Sequence, residues 1–331
     1  MAHLLLVCYA GPKVGIGHLS RLLALAQELK KENKVLPEFL IFGDQIKKTE
    51  LNNYKVHYLP FDGDFINSVK NFIDSYDFSM IIFDLYKNHN IKELSSFFLE
   101  LKVNNTRLIA IDSLADYNDI LDLIWIPSFN FDFEKFSKSK GKIKFGWDKF
   151  LIQKRFKHKS WNFGNNILVL TGGGDNANIG NSLPENLNQH LPDNFNIKWV
   201  KGPFSNPPKL PLRCRLNFTV YDSPEYLDDL ILESNFVISV YGVSFFEVLQ
   251  YGIPTVVFSP YGEKDKKELE VLSSMNVAKV LYNYEDVISG IEKLINNETL
   301  SRKYSNNAIS LMETSGAQKL SKEIYALLNS N

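Results

Sequence analysis

The chain has 331 residues, 44% of them hydrophobic, and a formal net charge of −1 from charges of both signs mixed along its length. That length can bury two cores, so two domains are expected, and the balanced charge offers no basic face for DNA or RNA. Cys8 and Cys214 lack metal-ligand spacing and read as reduced thiols, no run reaches about 18 apolar residues, and no signal-type leader is seen, so a cytoplasmic protein is expected.

His3-Leu4-Leu5-Leu6-Val7-Cys8-Tyr9 is an apolar run of strand length, and Leu22, Leu23, Leu25, Ala26 and Leu29 then recur at helical spacing. A strand-turn-helix unit therefore opens the chain. Between the two lies Val14-Gly15-Ile16-Gly17-His18-Leu19-Ser20-Arg21. Its glycines let the backbone turn tightly and approach a ligand, while unpaired N–H groups at the helix start carry partial positive charge. His18 falls in the first helical turn. It reads either as a neutral imidazole available as base or hydrogen-bond donor, or as a solvated histidine at a plain helix start.

Val35 to Phe42 and Tyr54 to Leu59 read as strands, and Asp64 to Ile73 as a helix. Ser79 to Asp84 is a near-continuous apolar strand ending in a carboxylate, Asn90 to Leu101 is amphipathic, Arg107 to Asp112 is apolar again, and Leu121 to Ile126 is a further strand. Such alternation predicts a parallel sheet with helices on both faces, where ligands bind beyond the carboxyl ends of the strands. His18, Asp84, Tyr86 and Asp112 all lie just past strand ends and are expected to converge. Residues 127–160 interleave Lys and Phe without a period and read as a connection between domains. A second domain is expected from about Trp161. Its first strand, Asn166 to Thr171, runs into Gly172-Gly173-Gly174-Asp175. Strands at 195–200, 216–220, 236–240 and 255–258 follow, with helices at 223–233 and from Ser244. The fold class is α/β, with two doubly wound parallel-sheet domains facing a cleft.

The triple glycine leaves backbone N–H groups unshielded and suits a phosphate, with Asp175 or Asn176 capping the next element; the alternative is a flexible turn. It is neither a Walker loop nor GxGxxG, which argues against ATP hydrolysis and NAD chemistry. Ser244-Phe245-Phe246-Glu247, after Gly242, is either a capping box or a means of placing Glu247 where it accepts hydrogen bonds from a ribose diol. GxSxG, HExxH and Cys-His patterns are missing, which disfavours covalent serine and zinc chemistry.

In chain order, Gly15 to Arg21, Asp84-Leu85-Tyr86, the segment from Phe145-Gly146-Trp147 to Phe156 with Leu151 and Arg155, Thr171 to Asp175, and Ile238-Ser239 through Glu247 to Gly252-Ile253-Pro254 resemble the GT-B-fold nucleotide-sugar enzymes. Within them the resemblance is to the UDP-sugar hydrolases of pseudaminic acid biosynthesis (the PseG family) and to MurG-like glycosyltransferases. It implies an N-terminal Rossmann-like domain over 1–155, a nucleotide-binding Rossmann-like domain over 156–315, and a C-terminal helix over 316–331 returning to the first. It further implies catalytic roles for His18, Asp84 and Tyr86, with Arg21 and Asp112 in support. Nucleotide or phosphate contacts would come from Gly15, Gly17, Gly172, Gly173, Gly174, Asp175, Gly242, Ser244 and Glu247. No metal or cofactor is implied: the nucleotide-diphosphate sugar, UDP-linked, is the substrate, and the second partner is a sugar or lipid-linked acceptor, or water.

One departure bears on the reaction. After Gly-Ile-Pro the family carries an Asn/Gln pair, where this chain reads Ser259-Pro260-Tyr261-Gly262-Glu263-Lys264-Asp265-Lys266. Transfer to an acceptor in surface glycan biosynthesis is therefore the leading expectation, with PseG-like hydrolysis and non-catalytic nucleotide-sugar binding as alternatives. Phe129, Phe131, Phe133 and Phe136 are expected to pack beneath the 127–160 segment, the alternative being a peripheral membrane contact. The oligomeric state is left open.

Overall fold

The opening apolar run forms strand β1 (Leu4–Ala10), every residue of which is buried. Continuous burial of this kind is the mark of a parallel strand covered on both faces. In the computed structural model, which describes residues 3–85, 93–139, 141–157, 159–175, 177–259, 262–313 and 315–329, the chain divides into two units. One comprises residues 1–153 with 315–331, the other residues 154–314.

In the first unit β1 is joined by β2 (Glu38–Gly43), β3 (Val56–Leu59), β4 (Met80–Asp84), β5 (Arg107–Ile111), β6 (Leu123–Ile126) and β7 (Ile143–Phe145). All pair in parallel, in the order β3-β2-β1-β4-β5-β6-β7. The connecting helices are α1 (Gly17–Glu28), α2 (Phe65–Ile73) and α3 (Leu94–Val103). The second unit holds β8 (Asn166–Leu170), β9 (Asn196–Lys201), β10 (Asn217–Asp222), β11 (Phe236–Val240), β12 (Thr255–Phe258) and β13 (Lys279–Leu281). These are parallel in the order β10-β9-β8-β11-β12-β13. Its helices are α4 (Leu183–His190), α5 (Asp228–Leu232), α6 (Val243–Leu249), α7 (Lys266–Ser274), α8 (Val287–Ile295) and α9 (Glu298–Leu311). The expected α/β class with two doubly wound parallel-sheet domains is borne out. Each sheet reverses its winding once, at β1/β4 and at β8/β11, and such switch points open a crevice at the carboxyl ends of the strands.

The last helix, α10 (Gly316–Asn329), belongs to the first unit. Lys319 Nζ binds Asp148 Oδ2 at 2.7 Å, Lys144 pairs with Glu323, and the buried Ser321 hydroxyl donates to Asn33 Oδ1 at 2.7 Å. The helix packs against α1. Among the described residues, no helix is long and apolar enough to cross a membrane.

Several elements depart from the sequence reading. Residues 127–153 are part of the first unit and supply the edge strand β7. Phe131, Phe133 and Phe136 pack against the core, with Phe131 and Phe133 on Phe145, while Phe129 stacks on Trp147 at 4.4 Å. Mutual aromatic packing thus organises a stretch that has no binary pattern. The helix expected from Ser223 starts only at Asp228, because Ser223 takes a left-handed conformation with φ +47°. Helix α6 starts one residue before Ser244, with Gly242 as its N-cap, so Ser244 is not the capping residue.

Candidate functional site

The loop before α1 folds back on itself. Gly11 N–H donates to Gly15 C=O at 3.1 Å and Gly15 N–H to Gly11 C=O at 2.7 Å. Gly15 has φ +72° and open space where a Cβ would stand, so its glycine serves the backbone conformation alone. Gly17 is the first residue of α1 and His18 the second. Buried Leu19, Leu22, Leu23, Leu25 and Ala26 anchor the helix to the sheet. That fixes which way His18 and Arg21, three residues apart, both face.

They face Asp84, the last residue of β4, which pairs in register with Cys8 of β1. Asp84 is fully buried. Its Oδ1 lies 2.7 Å from His18 Nδ1 and accepts from Arg21 Nη2 at 2.6 Å, while its Oδ2 accepts from Arg21 Nε at 2.9 Å. Arg21 Nη1 donates to Asp112 Oδ2 at 3.0 Å, and Arg21 Nη2 stands 3.0 Å from His18 Nδ1. A buried carboxylate needs such partners, since an unpaired charge in the interior is prohibitively costly. Burial alone would ease the proton off Arg21. The Asp84 and Asp112 carboxylates outweigh it and push the guanidinium upward, so it remains a cation. Burial, reinforced by Asp84, also holds the Cys8 thiol well above its usual range. His18, Arg21, Asp84 and Asp112 therefore form one charged network at the β1/β4 switch point. Tyr86 lies outside the described residues.

The network has a chemical consequence. With Asp84 an anion, the short contact to Oδ1 requires a proton on Nδ1 of the imidazole. In the neutral ring the lone pair is then on Nε2, the tautomer that a general base needs.

In the second unit, Gly172, Gly173 and Gly174 follow β8 at the β8/β11 switch point. Gly172 has φ +82°. Gly202, just past β9, presses on this loop: a Cβ there would stand 2.2 Å from the Gly172 carbonyl oxygen. Phe204 N–H donates to Gly173 C=O at 2.9 Å. Asp175, at φ +44°, accepts from the N–H groups of Ile179 at 3.0 Å and Gly180 at 2.9 Å, and so caps the following turn. Burial raises its carboxyl and these two amides offset part of that. Asn176 lies outside the described residues. Gly242 precedes α6, whose second residue is Ser244, and Glu247 follows one turn later, half-buried.

Sequence reasoning missed two features of this loop. Thr171, directly before the glycines, is buried, and its Oγ1 has no hydrogen-bond partner among the described residues. The Gly202 support is visible only as a glycine after a strand, a signal too common to single out. No group of three or more His, Cys, Asp or Glu side chains able to hold a metal occurs among the described residues.

Two Rossmann-like units in series, each with a parallel sheet, define the GT-B fold. No protein-family model matches the chain. MurG of Acinetobacter baumannii superposes with a TM-score of 0.64 at 14% identity, covering 98% of this chain and 100% of its own. MnaA of S. aureus, solved with UDP, gives 0.66 at 12% identity over 99% and 97%. The UDP-GlcNAc 2-epimerase of Neisseria meningitidis, bound to UDP-GlcNAc, gives 0.61 at 15% over 99% and 100%. At these identities the likeness is one of fold. In sequence, the uncharacterized protein MJ1062 of Methanocaldococcus jannaschii is 29% identical over 280 residues, 74% of this chain. The matched region spans 53% of that relative, about half its length.

Proposed function

We propose that the protein is an enzyme acting on a nucleotide-diphosphate sugar, UDP-linked, whose anomeric bond it cleaves by transfer of the sugar to an acceptor hydroxyl in surface glycan assembly. The observation that carries this reading is the His18–Asp84 pair. A fully buried carboxylate holds Nδ1 at 2.7 Å, on the first turn of a helix at a sheet switch point. His18 Nε2 takes the proton of the acceptor hydroxyl as that oxygen bonds to the anomeric carbon. The bond from that carbon to the diphosphate breaks, and the diphosphate leaves with the electron pair. Developing negative charge on the leaving group calls for backbone N–H donors, a role given to the loop at Gly172, Gly173 and Gly174, and Glu247 is assigned to the ribose. Orphaned Thr171 Oγ1 supports a polar ligand beside that loop, since a buried hydroxyl without a partner costs about 1–3 kcal/mol. The UDP and UDP-GlcNAc named for structures of the same fold support the donor class. A cytoplasmic location and a reaction without metal are part of the same proposal.

Hydrolysis is the second reading, favoured by the resemblance of Gly15 to Arg21 to the PseG family; there water takes the place of the acceptor hydroxyl. Incubation with a panel of UDP-sugars, with and without sugar acceptors, separates the two. Release of UDP that depends on an acceptor supports transfer. Release of UDP and free sugar in buffer alone replaces it with hydrolysis, and a change in the sugar without UDP release points to epimerisation. Under either cleavage reading, His18→Ala should lower kcat by about 10²–10⁴-fold. Tight UDP binding without turnover on any donor overturns the enzymatic reading.

A further inference from the structure

We propose that Asp112 is a positioning residue that, through Arg21, sets the charge of the network so that His18 can take up a proton during the reaction; this rests on the base role assigned to His18. Among the described residues, Asp84 from β4 and Arg21 from α1 contact the His18 ring, Asp112 from the loop after β5 binds the same Arg21, and Cys8 of β1 lies in register beside Asp84. The Cys8 thiol is held neutral by burial and by Asp84. Of these described side chains taken alone, two carboxylates and one guanidinium sum to one negative charge when the imidazole is neutral, and to none when it is protonated. Proton uptake therefore lowers the charge of a partly buried group built around the buried Asp84. Without Asp112 the same step would leave these side chains with a net positive charge, an imidazolium beside a guanidinium only 3.0 Å away, sharing the carboxylate of Asp84. Low-dielectric surroundings favour the first situation over the second.

The backbone is shaped to deliver this carboxylate. Asp112 and Leu114 both lie in the left-handed region, at φ +67° and +70°, which side-chain-bearing residues adopt sparingly. Asp112 N–H donates to Trp125 C=O at 2.8 Å and Ser113 N–H to Ile111 C=O at 2.8 Å. Ser113 Oγ donates to the carbonyl of Leu85, the residue after Asp84, at 3.4 Å. The exits of β4 and β5 are thus tied together, and the Asp112 side chain is directed at Arg21 Nη1, the nitrogen that Asp84 leaves unused.

The test reads the imidazole directly in the full chain labelled with ¹⁵N-histidine, the His18 ring signals being identified by their loss in His18→Gln. Asp112→Asn should move the protonation midpoint of the His18 ring to lower pH, by about half a unit or more. Asp119→Asn, which removes an exposed charge a few residues on, should leave it in place, and Asp112→Glu should restore it. If Asp112→Asn does not fold, Asp112→Ser carries the same comparison. A midpoint unchanged in the folded neutral variant overturns the proposal. With an active UDP-sugar pair, the variant should lower kcat about tenfold with little change in KM, and the acid limb of its pH profile should move with the ring midpoint. A ring midpoint that moves while kcat and its profile do not would uphold the Asp112 coupling and reject His18 as the base.

Discussion

Arg21→Met tests the network most severely, because it removes the cation that Asp84 and Asp112 share while keeping most of the side-chain length. Asp84 is fully buried and the Arg21 side chain is 13% exposed, so the pair falls in the class whose disruption strands an interior charge. That costs about 3–5 kcal/mol, and His18, 2.7 Å from the same carboxylate, offsets part of it, leaving about 3 kcal/mol. For a unit of this size, about 2–4 °C is lost per kcal/mol, so the calorimetric transition of the first unit should fall by about 6–12 °C. The deficit should shrink toward acid pH, where the stranded carboxylate can neutralise itself by taking a proton. Adding Asp84→Asn to Arg21→Met should recover most of the loss, since the double variant no longer buries an unpaired charge. A shift of less than about 2 °C for Arg21→Met would refute the idea that this pair holds the β1/β4 end of the sheet together.

Gly202→Ala would drive a Cβ to 2.2 Å from the Gly172 carbonyl oxygen and must displace the glycine loop. If the loop holds the diphosphate as proposed, UDP should then bind at least about tenfold more weakly by calorimetry, and unchanged affinity would remove that loop from the proposed nucleotide site. At the start of β2, Glu38 accepts from His3 Nε2 at 2.9 Å, His57 Nε2 at 3.0 Å and Lys55 Nζ at 3.1 Å. Burial alone would raise its carboxyl, but these three bonds outweigh burial and hold it below the usual range. The stability they bring is therefore present above the ordinary glutamate value of about 4.3 and lost as pH falls through the lower folded value. In urea unfolding between pH 7 and 3, the gap between the natural protein and Glu38→Gln should stay constant at first and close below about pH 4.3; a gap that ignores pH counts against a depressed Glu38 carboxyl.

Much of the frame is legible in the chain because burial leaves a periodic trace. β1 and the body of β4 are apolar runs, and the leucines of α1 recur at helical spacing, so the placing of His18 past the end of β1 and of Asp84 at the end of β4 follows from pattern alone. The two-pronged hydrogen bonding of Arg21 to Asp84 does not. It depends on β1 lying beside β4 with Cys8 opposite Asp84, a pairing between residues 76 apart that no local spacing encodes. For the same reason Arg21 reads as a loop support in the sequence, while in the fold it is the centre of the network. Strand β7 and the Phe129–Phe136 stretch are hidden for a different reason. Ring-on-ring packing holds them, and that leaves no alternation to read. Ser223 and the region of Ser244 show a third limit: a left-handed residue delays α5, and Gly242 takes the N-cap of α6 ahead of Ser244.

The return of α10 to the first unit also orders events during synthesis. Residues 154–314 are contiguous and can close on themselves once they have left the ribosome, whereas the first unit lacks α10 until residues after 314 emerge. At about 5–20 residues per second, the intervening unit takes on the order of ten seconds to be made. For that interval the flank of α1 that α10 will cover stays open, and it belongs to the helix that bears His18 and Arg21. The half of the nascent chain that is translated first is therefore the half whose packing is finished last, and it is the half exposed longest to chaperones and proteases.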